Sequence, residues 1–396
     1  MTAGPLSGLQ IVDLSRVLAG PLCTMLLGDL GADVIKVERP GTGDDTRTWG
    51  PPFTHGESAY FLGLNRNKRS LTIDLSSDEG KDILRRMLMS ADVLIENFKM
   101  GTLAKWGLGE DWFGEHAPGL VRATISGYGS SGPKAGKPGY DFVLQAETGL
   151  MAITGESDGR PMKVGVAIVD ICTGMMAALS ILAALSAKSR SGRGQRVEVN
   201  LHDTGLLMLA NVASNHLISG EEAQRYGNGH PNIVPYRTYA ALDGHVVIAV
   251  GNDAQFRVFA ELVGHAEWAE DDRFATNAAR VRNRVELDAR IDEVIGTRDR
   301  ARWMDLLDEA GVTASRINLI SEALFSPQTA GSGMVTEVEH SLAGMLKMLR
   351  PPFEFSATPP SIRRAPPTLG QHTDEVLAQL GYDEIDIAAL RERGLI

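Results

Sequence analysis

The stretch LQIVDLSRVLAGPLCTMLLGDLGADVIKVE (residues 9–38) decides the fold. Its two ends, LQIVDLS (9–15) and ADVIKVE (32–38), are short runs rich in β-branched residues, which is typical of buried strands. Between them, LCTMLLGDLG (22–31) has the apolar content of a helix that packs on a sheet. A strand, a helix and a second strand in so short a stretch indicate a parallel βαβ unit.

The same alternation continues along the chain. Further strands are predicted at SLTIDL (70–75), DVLIENF (92–98), LVRATISGYG (120–129) and RVEVNLHD (196–203). Helices are predicted at KDILRRMLMSA (81–91) and from Asp170 to about Lys188. The fold class that follows is α/β, with a doubly wound, Rossmann-like parallel sheet.

A second, smaller α/β domain is predicted within the chain. The turn-rich segment 220–236 interrupts the first pattern, and the hairpin-like YAALDGHVVIAVG (239–251) starts a new one that continues to about Ala310. The proline-rich stretch 348–367 is expected to lie along another surface. The predicted parts are a large domain (1–224), a small inserted domain (225–325) and a C-terminal segment that returns to the large domain (326–396).

The amino-acid composition and the N-terminal sequence indicate which binding partners and which cellular compartment to expect. The formal net charge of −11 and the pI near 5.4 argue against nucleic acid or an anionic membrane as the main partner. The two cysteines, Cys23 and Cys172, lie in apolar surroundings and provide neither a disulfide framework nor a metal-binding spacing. The N-terminal MTAGPLSGLQIVDLS lacks the basic and apolar regions of a signal peptide, so a cytoplasmic protein is expected.

One acid stands alone in a long uncharged stretch. From Val164 to Ala187, Asp170 is the only acidic or basic side chain other than a cysteine. Burial of an unpaired carboxylate is unfavourable, so this residue is either paired elsewhere in the fold or used in chemistry. Two structural alternatives are a membrane span, which the central acid and Gly174 argue against, and an Asp170 that caps its own helix.

The predicted strand ends carry cations and amides instead of a nucleotide-binding fingerprint. The loop after the first strand reads SRVLAGP, so G-x-G-x-x-G is absent, and the chain has no P-loop, no G-x-S-x-G and no H-E-x-x-H. Because ligands bind beyond the carboxyl ends of parallel strands, these side chains together could hold a polyanion such as a nucleotide diphosphate. The side chains are those of Arg39, Asn97, Lys99, Lys105, Lys134 and Lys137.

Four long segments carry a resemblance to a known family: residues 6–47, NRNKRSLTIDL (65–75), ADVLIENFKMGTLAKWGL (91–108) and SGRGQRVEVNLHD (191–203). In them the chain resembles the class III CoA-transferases, also called the formyl-CoA transferase or carnitine-CoA transferase family. The resemblance continues to LGQHTDEVLAQLGY near the end of the chain. It implies an interlocked homodimer that uses coenzyme A thioesters as substrates and holds no cofactor tightly.

The resemblance also implies roles for individual residues. The catalytic residue of the family is an Asp at the position of Asp170, the same lone acid found above, and Tyr140 lines the reacting end. Lys99 and Lys137 join the predicted coenzyme A site as cations at the strand ends. The family's coenzyme A ligands match Val17, Arg39, Asn97, Phe98 and Lys105, with Thr72, Ile73, Asp74 and Leu75 nearby.

The expected chemistry requires neither a metal nor a general base. Asp170, in a dry pocket, attacks the thioester carbonyl of an acyl-CoA and forms an acyl-aspartyl anhydride and CoA thiolate. The thiolate returns to form an aspartyl-CoA thioester, and the acceptor carboxylate repeats the exchange in reverse. Backbone N–H groups of the loop GNDAQ, which begins with Gly251 and Asn252, are the candidate oxyanion hole.

The substrates are predicted from positions at which this chain differs from the formyl-CoA transferases and resembles another branch of the family. Formyl-CoA transferases have a Gln at the position of Leu18 and four consecutive glycines where this chain has only Gly251 before Asn252. GTGDDTRTWGPPF (41–53) with NRNKRS resembles the branch that includes the succinyl-CoA:glutarate, itaconate, mesaconate and citramalate transferases. The prediction is succinyl-CoA as donor and a four- to six-carbon dicarboxylate as acceptor.

A dicarboxylate also needs a cation for its far carboxylate. Arg47 is the candidate, since a guanidinium can bind a carboxylate through two parallel hydrogen bonds. The alternative for Arg47 is an ion pair with Asp44 or Asp45. His55 and His230 are further candidates.

Other activities stay open at this point. A 2-methylacyl-CoA racemase of the same fold would carry a His where this chain has Tyr140, and Tyr is a poor base near neutral pH. Formyl-CoA/oxalate and carnitine-type CoA-transferases are alternatives within the family. A CoA-thioester hydrolase would need a water-activating base near Asp170, and a non-catalytic acyl-CoA-binding protein would have lost the nucleophile.

Overall fold

The computed structural model describes residues 4–396, so the first three residues of the predicted large domain lie outside the described part. The chain forms two compact units. Unit 1 comprises the residues up to 148 together with 164–208 and 327–396, and unit 2 comprises 149–163 and 209–326. The predicted boundaries lay after 224 and after 325. In the structure unit 2 also includes 149–163 and 209–224, which the sequence pattern did not separate from the large domain.

The strands and helices have the following bounds. The strands are β1 (Gln10–Asp13), β2 (Asp33–Glu38), β3 (Phe53–Thr54), β4 (Glu57–Ser58), β5 (Lys68–Thr72), β6 (Val93–Glu96), β7 (Val121–Ser126), β8 (Arg196–Asn200), β9 (Tyr236–Ala241), β10 (Gly244–Ala249), β11 (Thr313–Arg316), β12 (Val335–His340) and β13 (Gly344–Leu349). The helices are α1 (Ala19–Asp29), α2 (Ala59–Leu62), α3 (Asp78–Ser90), α4 (Thr102–Lys105), α5 (Glu110–His116), α6 (Asp141–Glu147), α7 (Ile168–Ser191), α8 (Leu201–Leu207), α9 (Ala210–Ser219), α10 (Asp253–Leu262), α11 (Asn277–Arg282), α12 (Arg284–Ile295), α13 (Arg300–Glu309), α14 (Ile320–Leu324), α15 (Pro327–Ser332), α16 (Thr373–Gln379) and α17 (Glu384–Glu392). Single 3-10 turns lie at Asp45–Thr48 and Ala266–Ala269.

A six-stranded parallel sheet organises unit 1, with the strand order β5-β2-β1-β6-β7-β8. The chain runs outward from β1 through β2 to β5, then returns to β6 beside β1 and continues outward through β7 to β8. The loops after β1 and β6 therefore diverge and leave a crevice between them. The predicted α/β class with a parallel sheet is confirmed.

Both faces of this sheet are buried, as expected for parallel strands. On one face, Val12, Ile35 and Leu94 belong to a buried cluster that includes residues of α3, α5, α16 and α17. The alternate residues Ile11 and Val34 are also buried, and they point to the opposite face, where α1 packs. Burial on both sides accounts for the nearly continuous apolar runs of β1 and β2.

Helix α7 is the one helix within residues 4–396 that is long and apolar enough to span a bilayer. It packs against α1 and against the strands β7 and β8. At Gly174 a Cβ atom would lie 2.5 Å from the carbonyl oxygen of Ala19, so this close approach of α7 to α1 requires a glycine. Ala177, Ile181 and Ala184 are buried further along α7, so the helix makes core contacts within unit 1.

The C-terminal residues cover β5, which lies at one edge of the sheet. An uncovered edge strand exposes a row of unpaired backbone N–H and C=O groups. In this unit those groups are bound by residues that follow more than 280 positions later in the chain. The pairs are Asn67 N–H to the Arg364 carbonyl (3.0 Å), Thr72 N–H to Thr373 Oγ1 (3.1 Å), Asp74 N–H to the Leu395 carbonyl (2.8 Å), and His372 N–H to the Ser70 carbonyl (2.9 Å).

Unit 2 has a core of its own. Its antiparallel sheet has the order β11-β10-β9, with the hairpin β9–β10 at the position that the sequence predicted. Phe256, Phe259 and Trp303 are fully buried in one cluster with residues of this sheet. Large aromatic side chains of this kind supply much of the apolar area that a small domain buries.

Candidate active site

A cavity of about 610 Å³ lies in unit 1 at the carboxyl ends of β1, β6, β7 and β8. Val17 lines it after β1, Asn97 after β6, and Lys137 in the loop after β7. Asp170, in the first turn of α7, lines the same cavity. The cavity therefore occupies the switch point of the sheet, where α/β proteins of this topology bind their ligands.

The Asp170 carboxylate stands without a partner. None of residues 4–396 hydrogen-bonds to it or forms an ion pair with it. Burial first, and the negative charge of Asp141 second, raise the pKa of Asp170 from its ordinary value to about 7. A carboxylate that is desolvated and uncompensated in a cavity is a candidate nucleophile or base.

A different carboxylate caps the helix that carries Asp170. Asp141, at the start of α6, accepts hydrogen bonds from the backbone N–H groups of Val169 (2.8 Å) and Asp170 (3.3 Å). Gln145 in turn donates to Asp141 Oδ2 (2.6 Å). The alternative that Asp170 caps its own helix is therefore wrong, because Asp141 satisfies the free donors of α7 and leaves the Asp170 carboxylate available.

Apolar side chains enclose the first turn of α7. Ala167 and Ile171, on either side of Asp170, pack on the cluster of Leu18, Leu22 and Met25. Val17 and Tyr60 pack on the same cluster. Burial, and next the negative charge of Asp170, raise the pKa of Tyr60. This apolar enclosure is the physical source of the raised pKa of Asp170.

The loop after β6 holds the turn after β1. Asn97 accepts a hydrogen bond from the backbone N–H of Arg16 (3.0 Å) and donates one to the Arg16 carbonyl oxygen (2.8 Å). The Asn97 amide therefore has a defined structural role in addition to the ligand role predicted for it. The adjacent Val17 has a φ of 73°.

Besides Val17, Asn97 and Asp170, four residues of the predicted site line the cavity. Phe98 packs edge-on against Trp106, with ring centroids 5.1 Å apart, and its backbone N–H donates to Glu96 (2.7 Å). The side chain of Tyr140, at the start of α6, is 68% exposed. The four residues are Phe98, Lys99, Lys137 and Tyr140.

The structure does not bring the remaining predicted coenzyme A ligands into this cavity. Arg39 is exposed directly after β2 and lies near Asp74, while Lys105 is exposed at the end of α4. Thr72 and Ile73 are buried at the end of β5, and Leu75 is partly buried. Their contacts with coenzyme A stay predictions.

Arg47 has internal partners. Its Nε and one terminal nitrogen donate to the two oxygens of Glu38, both at 2.8 Å, and its side chain is only 8% exposed. The guanidinium also lies over the ring of Phe61, 3.6 Å from the centroid. The ion-pair alternative thus describes this arginine, although the partners are Glu38 and, at 3.5 Å, Glu57, and not Asp44 or Asp45. A buried arginine with both edges engaged is poorly placed to bind a substrate carboxylate.

The predicted oxyanion loop lies in unit 2, where its polar groups have local partners. Asn252 caps α10 by accepting a hydrogen bond from Gln255 N–H (2.9 Å). The backbone N–H of Gly251 donates to the side chain of Gln255 (2.7 Å). The proposed role of these two residues toward a bound substrate stays a prediction.

Sequence reasoning did not identify Asp141, Tyr60 or Asp44 as residues that shape the site. Asp141 had one usable signal, namely an acid that directly precedes FVLQAE (142–147), a short run without Gly or Pro, as acids in the first turn of a helix do. Tyr60 lies in the short helix α2 and Asp44 in the loop after β2, and only the folded chain brings them near Asp170 and Val17. Within residues 4–396, no group of three His, Cys, Asp or Glu side chains is arranged to hold a metal ion.

Comparison with known proteins gives a consistent result. The model of the CoA-transferase family III matches residues 6–373. The chain is 44% identical over 387 residues to a succinate–glutarate CoA-transferase of Agrobacterium fabrum, covering 95% of this chain and 96% of that protein. It is 40% identical over 393 residues to the succinyl-CoA:glutarate CoA-transferase of Homo sapiens, covering 99% and 90%.

The solved structures agree with the sequence relatives. A CAIB/BAIF family protein from Brucella suis superimposes with a TM-score of 0.83 at 43% sequence identity, covering 96% of this chain and all of that chain. The predicted resemblance, which extended over nearly the whole chain, is confirmed.

Proposed function

This chain belongs to the CoA-transferase family III and is a CoA-transferase, and we propose that it moves coenzyme A from succinyl-CoA to a four- to six-carbon dicarboxylic acid. Two relatives at 40% and 44% identity are transferases between succinate and glutarate, which makes glutarate the first acceptor to test. Glutarate and succinate differ by one methylene, so an enzyme built for one can accept the other at modest energetic cost.

The observation that carries the proposal is the isolated Asp170 carboxylate in the switch-point cavity. A carboxylate that is hydrogen-bonded to water or to the protein is a weak nucleophile. Asp170 is desolvated, and its helix is capped by Asp141, so its own lone pairs remain free. Transfer by covalent catalysis needs a group in this state.

The proposed reaction has four balanced steps. Asp170 Oδ attacks the succinyl thioester carbonyl, the carbon–sulfur bond breaks, and CoA thiolate leaves a succinyl-aspartyl anhydride. The thiolate attacks the aspartyl carbonyl and releases succinate, which gives an aspartyl-CoA thioester. The acceptor carboxylate attacks that thioester, its carbon–sulfur bond breaks, and CoA thiolate leaves a second anhydride. The thiolate then attacks the acceptor carbonyl, the bond from that carbonyl to the Asp170 oxygen breaks, and acyl-CoA and the free Asp170 carboxylate are released. Each attacking group is an anion, so no proton has to move.

The surroundings of Asp170 suit this sequence of steps. Both the anhydride and the thioester would hydrolyse if water entered, and the apolar cluster that includes Val17, Tyr60 and Ile171 limits that access. Val17, Asn97, Phe98, Lys99 and Lys137 would hold coenzyme A along the same cavity. Gly251 and Asn252 are proposed to donate backbone N–H groups to the tetrahedral intermediates, with the Gly251 N–H exchanging its bond to Gln255 for the oxyanion.

We further propose that the protein is a cytoplasmic homodimer without a tightly bound cofactor. Apolar side chains remain exposed on α7 and α8 of unit 1, including Met175 (49%), Leu179 (58%) and Leu207 (65%). Large apolar side chains exposed together on neighbouring helices are typical of a subunit interface. Light scattering of the purified protein would give the mass of the dimer, and a monomer mass would contradict this part of the proposal.

The test traps the covalent intermediate. The protein is incubated with succinyl-CoA and hydroxylamine, and the modified peptide is mapped by mass spectrometry. We expect a hydroxamate on Asp170 in the wild type and none in Asp170→Ala. Asp203→Ala is the matched control, because Asp203 occupies the same third helical position in α8 and does not line the cavity.

Two results would contradict the proposal. An adduct on another residue would remove Asp170 as the nucleophile. No adduct, with succinyl-CoA bound and no coenzyme A passed to glutarate, would exclude the transferase mechanism. In that case exchange of the α-proton of 2-methylacyl-CoA with deuterated solvent would identify the racemase alternative.

A further inference from the structure

Val17 has an unusual backbone for its residue type. Its φ of 73° lies in the left-handed region, which β-branched residues avoid because the side chain collides with the backbone. The other non-glycine residues with positive φ within 4–396 are His55, Asn67 and Ala210, none of which is β-branched. Such a conformation persists only where the surroundings enforce it, and it is concentrated at functional sites.

Three side chains from elsewhere in unit 1 hold consecutive residues of this turn. Lys36 Nζ donates to the carbonyl oxygen of Ser15 (2.9 Å), and Asn97 binds both backbone groups of Arg16. The backbone N–H of Val17 donates to the carboxylate of Asp44, at 3.3 Å to each oxygen. The conformation of the turn is therefore imposed by long-range contacts and not by local sequence.

Lys36 and Asp44 act on the turn as one unit. Lys36 Nζ lies 2.9 Å from Asp44 Oδ2, and both side chains are completely buried. Asp44 also accepts hydrogen bonds from the backbone N–H (3.0 Å) and hydroxyl (2.8 Å) of Thr46. The pair is thus fixed in position before it binds Ser15 and Val17.

The turn leads directly to the reacting carboxylate. The Val17 side chain packs on the same apolar cluster as Ala167 and Ile171, which flank Asp170. Val17 also lines the cavity that contains Asp170. If Val17 returned to an ordinary φ, its side chain would leave this position, because φ sets the direction of Cβ relative to the preceding chain.

We propose that the buried Lys36–Asp44 pair is a positioning device, which holds Val17 in its left-handed conformation. The Val17 side chain is thereby kept packed in the apolar cluster beside Asp170. The inference rests on the proposed function for its effect on rate. Neither Lys36 nor Asp44 lines the cavity, so the pair acts through Val17 and not on the substrate.

A second buried ion pair, Arg66–Asp29, provides a control for a purely structural role. Arg66 and Asp29 are joined by two hydrogen bonds, and both side chains are at most 5% exposed. Asp29 also binds the Asn67 side chain (2.8 Å). Neither residue contacts the turn at Ser15–Val17 in any hydrogen bond, so this pair is a matched control for buried charge within the same unit.

The experiment is a double-mutant cycle between the pair and Val17. Lys36→Met/Asp44→Leu removes both charges together, so that no lone charge is left buried. We expect this variant to lose about 100-fold in kcat for transfer from succinyl-CoA to glutarate, with little change in KM. In a Val17→Gly background the same change should lower kcat by less than about tenfold, because the side chain that the pair positions is already absent.

Stability supplies a readout that is independent of activity. In the chain that lacks the pair, Val17→Gly should raise Tm, because the strain at residue 17 is no longer offset by the Asp44 hydrogen bonds. In the wild-type background the same substitution should not raise Tm. A wild type that fails to transfer coenzyme A would overturn the proposed function, while this coupling in Tm would still support the positioning role.

Two outcomes would overturn the inference. The first is an equal loss of kcat on removing the pair in both backgrounds, together with an unchanged effect of Val17→Gly on Tm. The second is that the control Arg66→Met/Asp29→Leu lowers kcat as strongly as removal of Lys36 and Asp44, which would attribute the loss to general destabilisation.

Discussion

Asp44 and Asp170 are the same residue type, Asp44 is buried and Asp170 half-buried in unit 1, and their pKa values move in opposite directions. Burial raises the pKa of both carboxyls, but at Asp44 the charge of Lys36 and the hydrogen bonds from Lys36 and Thr46 outweigh it and bring the value to about 2. At Asp170 no cation or donor opposes burial, the Asp141 charge adds to it, and the value reaches about 7.

The comparison separates two uses of a buried acid. The contribution of Asp44 to stability is fully present above the ordinary carboxyl pKa and is lost as the pH falls through about 2, since its folded pKa is depressed. Asp170 has a raised folded pKa, so its ionisation favours the unfolded chain as the pH rises toward 7. Asp44 therefore stabilises the fold around the site. Asp170 is destabilised as a carboxylate in the folded protein, which makes it more reactive as a nucleophile.

Removing the partner of Asp44 should have the largest effect. In Lys36→Met the buried Asp44 carboxylate loses its cation, and we expect the free energy of unfolding to fall by about 3–5 kcal/mol. Urea denaturation at pH 7 measures the change. The control is Lys36→Met/Asp44→Leu, which should recover most of the lost stability; an equally unstable double variant would contradict the account.

The rate of transfer should follow the ionisation of Asp170. Because only the carboxylate attacks, kcat/KM should be constant above a pH of about 7 and fall about tenfold per pH unit below it, a loss of about 100-fold at pH 5. Asp44, already ionised at these pH values, should not contribute. A profile that stays flat down to pH 5 would show that the raised pKa of Asp170 does not limit the reaction.

Neutralising Asp170 should stabilise the fold in a pH-dependent way. Wild-type stability should decline between pH 5 and pH 8 as the buried carboxyl is forced to ionise, whereas Asp170→Asn carries no such term. We expect the variant to gain about 2–3 kcal/mol over the wild type across that range. Parallel denaturation curves at the two pH values test this, and a gain that does not grow with pH would refute it.

The smallest effect on stability is expected at a third carboxylate, Asp271. Hydrogen bonds from Arg273, on the surface of unit 2, lower the pKa of Asp271 to about 2, the same value as for Asp44. Because this pair is exposed to water and salt, Asp271→Asn should leave Tm nearly unchanged. A marked drop in Tm would mean that a low pKa alone predicts how much an acid contributes to stability, whether or not the acid is buried.

Sequence patterns identified the parallel strands and the nucleophile candidate for a local physical reason. The apolar runs of β1, β2 and β6 are buried on both faces, and Asp170 is conspicuous because its neighbours in the chain are apolar. The prediction for β5 was less accurate: residues 70–75 were expected, while the strand spans Lys68–Thr72. Lys68 looks like a loop residue, but its ammonium group is buried against Asp13 and Asn65.

Partnerships between distant residues could not be predicted. Arg47 was assigned to a substrate carboxylate, and the fold instead joins it to Glu38, nine residues earlier. The cap of α7 comes from Asp141 on another helix, and the conformation of Val17 depends on Asp44. Each of these contacts exists only after the strands have assembled, so no local pattern encodes it.

The covered edge at β5 has a consequence for the newly made chain. The groups that bind Asn67, Ser70, Thr72 and Asp74 belong to residues 364–395, which are synthesised after every strand of the sheet. Until these residues have left the ribosome, the backbone N–H and C=O groups at the β5 edge are unpaired. This edge can then pair with a strand of another nascent chain. The segment 364–395 therefore closes this edge only after translation has passed the whole sheet, and a premature stop codon near residue 360 should give an insoluble product although every strand of the sheet is present.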